Sequence, residues 1–341
     1  MQLAFSADQQ VLAEAFGQFF SRESPTSVVR RAETLGFDAA LWSSLGAMEV
    51  WGSDATLSDL CVIGEAAGHA LAPVPFAEHV VVSRLLAWPT LLTGESVGAI
   101  SPRAANAHGL WTIVPAGAIA DIVVGLDGDE FIAVRSPAPF AGPANHACAP
   151  LADRDSRGGE RSVIGNRHHF ERAMSELRLI TASLLVGVAA LALEMGVEYV
   201  QQRHQFGVPI GSFQSVQHGL ADLPGRIDGA RLLTHQAAQA LDLGHVGHNA
   251  VANNDITDPH SLASMALLFA SDIAADATAR SLHFHGGYGF SDEYDIQLAY
   301  RRARGWALVL GDPTAERLAL ADRLWPSAAA GTATSNSAVR L

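Results

Sequence analysis

The first 93 residues alternate apolar and polar positions with the 3.6-residue period of helices packed on one face. Ser6 is placed to cap a helix over Asp8–Phe20, in which Val11, Leu12, Ala15, Phe16 and Phe19 share a face. A shorter helix is predicted over Gly36–Leu45 and a third over Leu57–Leu71, closed by Ala72-Pro-Val-Pro-Phe76 because proline cannot continue a helix. From Leu92 to about Asn166 the period shortens. Gly109–Val114, Ile119–Val124 and Glu130–Val134 read as strands, and Asp127-Gly128 reads as a hairpin turn. The polar run Ala152–Arg161 is expected to be a mobile surface loop. Helical spacing returns near Asn166. Leu177, Ile180, Leu184, Val188, Leu191 and Met195 form a stripe that predicts a helix over Phe170–Gln202, about 50 Å long. Further helices are expected over Phe213–Leu243, Ser261–Leu282 and Asp292–Leu324, the last interrupted at Leu310–Thr314. His245–Asp258 reads as an exposed connection.

The pattern therefore divides the chain into a helical domain (1–93), a small β domain (94–166), a helical bundle (167–325) and a disordered Ser/Ala/Thr-rich tail (326–341). The fold class is mainly α with a small antiparallel β domain. Hydrophobic residues are 49% of the 341, enough for a large core. The net charge of −13 argues against nucleic acid, whose binding needs a basic surface. No uninterrupted apolar run reaches the roughly 18 residues of a membrane span, and the acidic N-terminus lacks a signal peptide's basic start, so a cytoplasmic location is expected. Cys61 and Cys148 are far apart and without a CxxC pattern, and read as free thiols. The 14 His residues show no zinc spacing, and His283 with His285 lacks a third ligand, so no metal is expected.

Candidate chemistry is concentrated in Arg203-His-Gln-Phe-Gly-Val-Pro-Ile-Gly-Ser-Phe-Gln-Ser-Val216. Gly207, Pro209 and Gly211 force a turn between two helices, and the turn carries a guanidinium, two phenyl rings and several amides. These groups suit a ligand with phosphate at one end and flat rings at the other, since arginine grips phosphate bidentately. An ordinary helical hairpin with a surface arginine fits the same residues.

This stretch resembles the Arg-x-Gln-Phe-Gly-x-x-Ile-x-x-Phe-Gln signature of the acyl-CoA dehydrogenase family. A second family block follows as His283-Phe-His-Gly-Gly-Tyr-Gly-Phe290, and Tyr300-Arg-Arg-Ala-Arg304 after it. The resemblance implies a helical domain, a β domain and a C-terminal four-helix bundle, with FAD shared between subunits. Carried over by position, Arg203 meets the pyrophosphate, while Gln205, Phe206, Ile210, Phe213 and Val216 lie near the adenine end. His283 stands where the family usually has Gln, and Gly286 and Gly287 follow where backbone approaches the cofactor. The implied reaction is α,β-dehydrogenation of an acyl-CoA thioester, with an electron-transfer flavoprotein as acceptor.

Two departures matter. The family's Thr-Glu-x-x-x-Gly-Ser-Asp-like β-domain loop is missing around Ser101–His108. The usual catalytic Glu is missing as well: Leu310 takes its position before Gly311, with Asp312 two residues along. The family's other base position falls on Leu177, with Glu176 one residue and about 100° of helix away. The resemblance is therefore to the short subunits that pair with a longer homologue in α2β2 enzymes acting on steroid or other bulky acyl-CoAs, with the base on the partner. The alternative expectation is a degenerate paralogue that serves only as a structural or regulatory partner.

Overall fold

A computed structural model describes residues 5–52, 54–244 and 258–325; most of the expected connection (245–257) and the expected tail (326–341) lie outside the described residues. Six helices come first: α1 (Ala7–Glu23), α2 (Thr26–Arg31), α3 (Ala39–Ala47), α4 (Leu57–His69), α5 (Phe76–Leu86) and α6 (Pro89–Leu92). Their starts follow local chemistry. Ser6 and Gln9 form a reciprocal capping box before α1, Asp38 accepts from the Leu41 N–H before α3, and Thr56 with Asp59 opens α4.

Six strands follow: β1 (Gly98–Ile100), β2 (Leu110–Val114), β3 (Ile122–Asp127), β4 (Glu130–Arg135), β5 (Ala152–Asp155) and β6 (Glu160–Asn166). One sheet has the order β1-β3-β4-β6, and β2 pairs with β5 in a second. All pairings are antiparallel except β1 with β3, which is parallel. The β3–β4 hairpin turns at Gly128, whose φ of +62° suits glycine.

The expected loop at 152–161 is corrected: Ala152–Asp155 is strand β5, and β6 begins at Glu160, which leaves only a short turn. The run looked like surface because it is polar, yet one of its three arginines, Arg154, is buried. The Arg154 guanidinium donates to the carbonyls of Gly117, Ala120 and Ser136 at 2.8, 2.6 and 3.1 Å. Those carbonyls belong to the turn and strand end beside it, so the charge closes the sheet edge instead of facing water.

The remaining elements are α7 (Arg167–Gln202), the short hairpin β7 (His204–Gln205) and β8 (Val208–Pro209), α8 (Gln214–Ala221), α9 (Leu223–Gly244), α10 (Pro259–His285), α11 (Ile296–Leu308) and α12 (Pro313–Leu324). The 36 residues of α7 make it about 54 Å long. It crosses α4 almost backbone to backbone: a Cβ on Gly187 would sit 2.0 Å from the Glu65 carbonyl oxygen, and one on Gly68 2.0 Å from that of Leu184. Both α7 and α10 are long and apolar enough to cross a membrane. However, 61% of each helix's most apolar 18-residue window is buried against the rest of the chain, as in core helices of a bundle.

Candidate functional site

Helix α7 stops because Arg203 leaves helical geometry for extended backbone. The chain then reverses in the β7–β8 hairpin, where Gln205 pairs with Val208 and Phe206-Gly207 form the two-residue turn. Both turn residues have positive φ, +53° and +83°, the geometry of a type I′ turn. Positive φ is uncommon for phenylalanine, and the Phe206 ring is 94% exposed. Its nearest aromatic neighbour is Phe213, edge-on at 6.3 Å. The Arg203 carbonyl accepts from Ile210 N at 2.7 Å, which ties the hairpin back to its base.

Helix α10 ends beside this hairpin, in the short helical turn Gly286–Phe290 that presents Tyr288 and Phe290 to solvent. The two turns meet where the Arg203 guanidinium carbon lies 5.7 Å from the Tyr288 ring centroid, within cation–π range. Beneath them Tyr199 stacks on His285 at 4.0 Å, and Tyr294 stands edge-on to both rings. His285 Nδ1 faces the Ser281 carbonyl at 2.7 Å and so carries a proton; burial lowers this imidazole's pKa and keeps the ring neutral.

Among the described residues no carboxylate lies within ion-pair distance of Arg203. A Cβ built on Gly207, Gly286 or Gly287 would meet nothing within 4 Å. The protein therefore offers a guanidinium, exposed aromatic edges and unobstructed backbone on one outward face. That donor set fits the phosphate and ring end of a dinucleotide such as FAD arriving from outside the chain. Gln205 is exposed on β7 and His283 on the last turn of α10, whereas Ile210 and Val216 are half-buried and pack against the core. No group of three His, Cys, Asp or Glu side chains suited to a metal comes together among the described residues.

The positions expected for a base look different. Leu310 is half-buried against the core and lines a cleft of about 30 Å³ with Arg178, Gly311, Asp312 and Glu316. Asp312 caps α12, its carboxylate accepting from Thr314 N at 2.8 Å. Sequence reasoning missed Glu316, which closes this cleft. Arg178 donates to it through Nε and NH2 at 3.0 and 3.1 Å, and Ser264 Oγ donates at 2.6 Å. A carboxylate so fully bonded is poorly placed to take a proton.

Glu176 faces the other way, into a cavity of about 630 Å³ between α5 and the start of α7. It is 8% exposed, and Arg84 Nε donates to it at 3.2 Å. Burial raises its pKa, while Arg84 and Arg172 act against that rise. Leu177 is fully buried.

A family model for the C-terminal domain of acyl-CoA dehydrogenases matches residues 168–325. Over 335 residues the chain is 30% identical to the acyl-CoA dehydrogenase IpdE2 of Mycolicibacterium smegmatis, an alignment covering 90% of this chain and 96% of that one. IpdE2 of Mycobacterium tuberculosis is 26% identical over 344 residues, covering 94% and 98%. Among solved structures, the Tcur3481-Tcur3483 steroid ACAD variant superposes with a TM-score of 0.81 at 22% identity, over 96% of this chain and 99% of that one. The ChsE4-ChsE5 complex of Mycobacterium tuberculosis gives a TM-score of 0.80 at 21% identity, over 95% and 99%.

Proposed function

Since the chain belongs to the acyl-CoA dehydrogenase family, we propose that it serves as the short subunit of a hetero-oligomeric, FAD-dependent acyl-CoA dehydrogenase. The observation that carries this reading is the outward face built from the Arg203 and Gly286 turns, together with leucines, Leu310 and Leu177, at both of the family's base positions. Arg203 would hold the pyrophosphate of a flavin bound mainly by the partner. Phe206 and Phe213 would flank its adenine end with Gln205, Ile210 and Val216 beside them, and His283 with the Gly286-Gly287 backbone would close the other side. When bound, the flavin accepts the substrate's β hydrogen as hydride. The chain's own part is to grip phosphate, present backbone without side-chain obstruction and bury the aromatic edges.

The α proton must go to a carboxylate. Leu310 has none, Asp312 is committed to a helix cap, Glu316 is committed to Arg178, and Glu176 is paired with Arg84. We therefore assign the base to a longer homologous subunit in an α2β2 assembly. The structural likeness to a steroid ACAD and to the two-component ChsE4-ChsE5 complex supports a bulky, steroid-like acyl-CoA as substrate. Family resemblance supports an electron-transfer flavoprotein as acceptor.

The test is co-expression with a longer homologue encoded nearby, followed by flavin absorbance per protomer. The reading predicts a complex of two copies of each chain that retains FAD, and a chain that is insoluble or flavin-poor alone. A flavin-filled, active homotetramer of this chain would overturn it. A complex whose flavin content and turnover are unchanged by the chain's removal would leave it a structural partner only.

A further inference from the structure

We propose that Tyr288 is a positioning residue, whose ring holds the Arg203 guanidinium ready for a phosphate without using any of the donors that the phosphate needs. This role rests on the flavin reading above and concerns what prepares the arginine. Arginine has more rotamer freedom to lose on binding than most side chains, and that loss weakens a grip unless the folded chain has already restrained the group. A carboxylate partner would restrain it only by occupying its N–H groups and cancelling its charge. The Tyr288 ring, 5.7 Å from the guanidinium carbon, does neither. The attraction is between charge and π face, so the N–H groups and the positive charge stay available.

The ring is itself fixed from below. Tyr294 lies 5.7 Å from it at a tilt of 38° and stands edge-on to the stacked pair Tyr199 and His285. These rings join the end of α7, the end of α10 and the approach to α11, and Tyr288 is the exposed one among them. The turn that carries Tyr288 is pinned as well. Its carbonyl accepts from Ser291 N at 3.0 Å and from Ser291 Oγ at 3.1 Å. Gly289 packs so closely on α10 that a Cβ there would sit 2.7 Å from the Leu282 carbonyl oxygen. Arg203 starts from the same corner, one helical turn after Tyr199, with its N–H bonded to the Tyr199 carbonyl at 2.9 Å. Its charge is felt in the stack: burial raises the pKa of the Tyr199 phenol, and Arg203 pulls it back down. A mobile cation thus meets a rigid aromatic wall.

The experiment is a double-mutant cycle on FAD affinity, read by flavin fluorescence as the apoprotein complex is titrated. Its members are wild type, Arg203→Ala, Tyr288→Leu and the two together, with Tyr288→Phe as the conservative control. The Tyr288 hydroxyl makes no hydrogen bond to another described residue, so Tyr288→Phe keeps the ring face and should keep wild-type affinity. Tyr288→Leu should weaken FAD binding about two- to tenfold, the scale of ordering one mobile side chain, with the far-UV spectrum unchanged. In the Arg203→Ala background the same substitution should change nothing. Wild-type affinity in Tyr288→Leu overturns the proposal and leaves the flavin reading in place, provided Arg203→Ala still weakens binding. An equal loss from Tyr288→Leu in the Arg203→Ala background also overturns it, because the ring then meets the ligand directly or only holds the turn. A loss in Tyr288→Phe as large as in Tyr288→Leu does the same. An Arg203→Ala complex that binds FAD as tightly as wild type overturns the flavin reading and this role with it.

Discussion

His79 should make the protein acid-labile through one buried imidazole. The ring is fully buried at the junction of α5, α6 and β1, edge-on to the stacked pair Trp42 and Trp51 at 4.6 and 4.8 Å. Gly98 N–H donates to Nδ1 at 3.0 Å, so the single proton sits on Nε2 and donates to the Leu91 carbonyl at 3.1 Å. A second proton on Nδ1 would face the Gly98 N–H. Burial accordingly pushes the pKa down to about 3, from 6.5 in an unfolded chain, with the Leu91 carbonyl pulling weakly the other way. Below pH ~6.5 the unfolded state takes up a proton that the folded state refuses until pH ~3, so stability must fall as pH drops through that window. For those two pKa values the loss between pH ~8 and pH ~5 is about 2 kcal/mol. His235, His260 and His285 are also held low by burial and act in the same direction, so a difference measurement is needed. The assay is urea unfolding followed by tryptophan fluorescence, wild type against His79→Leu. The variant should be less stable at pH ~8 by a few kcal/mol, having orphaned the Gly98 N–H. The gap should narrow by about 2 kcal/mol at pH ~5, because only wild type pays the proton penalty at this site. A gap that stays constant across that range refutes the reasoning.

Other consequences follow from single contacts. Gly187→Ala drives a methyl into the Glu65 carbonyl and should cost about 3 kcal/mol or more, read as a lowered thermal midpoint, with α4 and α7 forced apart. Asp312→Ala removes the α12 cap and should cost about 1 kcal/mol while leaving turnover of the complex near normal. Glu176→Gln should also leave turnover near normal. A fall of about 10²–10⁴-fold with flavin still bound would return the base to this chain.

Much of the helical framework was legible because local chemistry marks it. Ser6 caps a helix where a short polar side chain precedes an apolar period, and of the stripe from Leu177 to Met195 the residues Leu177, Ile180 and Val188 are buried while Leu184, Leu191 and Met195 pack half-buried against the core. The Arg203 and Gly286 blocks could be picked out as turns, and folding brings them together through Tyr288. Periodicity reports which face of an element is buried, not what a charged residue on it will meet. Arg84 finds Glu176 across 92 residues and Arg178 finds Glu316 across 138, so neither pair is written in any local pattern. Arg154 misled for the same reason, since its carbonyl partners sit on a turn and strand end remote in sequence. The three-residue strand β1, parallel to β3, is too short to leave an alternating signature.

The most direct test of the central claim is the FAD affinity of the Arg203→Ala complex, measured by titrating apoprotein with FAD and following flavin fluorescence. Arg203 is exposed and its side chain makes no hydrogen bond or ion pair to another described residue, so the substitution leaves the fold alone and the far-UV spectrum should not change. If this guanidinium grips the pyrophosphate of a shared flavin, losing its charge-assisted bonds, about 1.5–3 kcal/mol, should weaken FAD binding roughly 10- to 100-fold. An FAD dissociation constant unchanged from wild type would contradict the account.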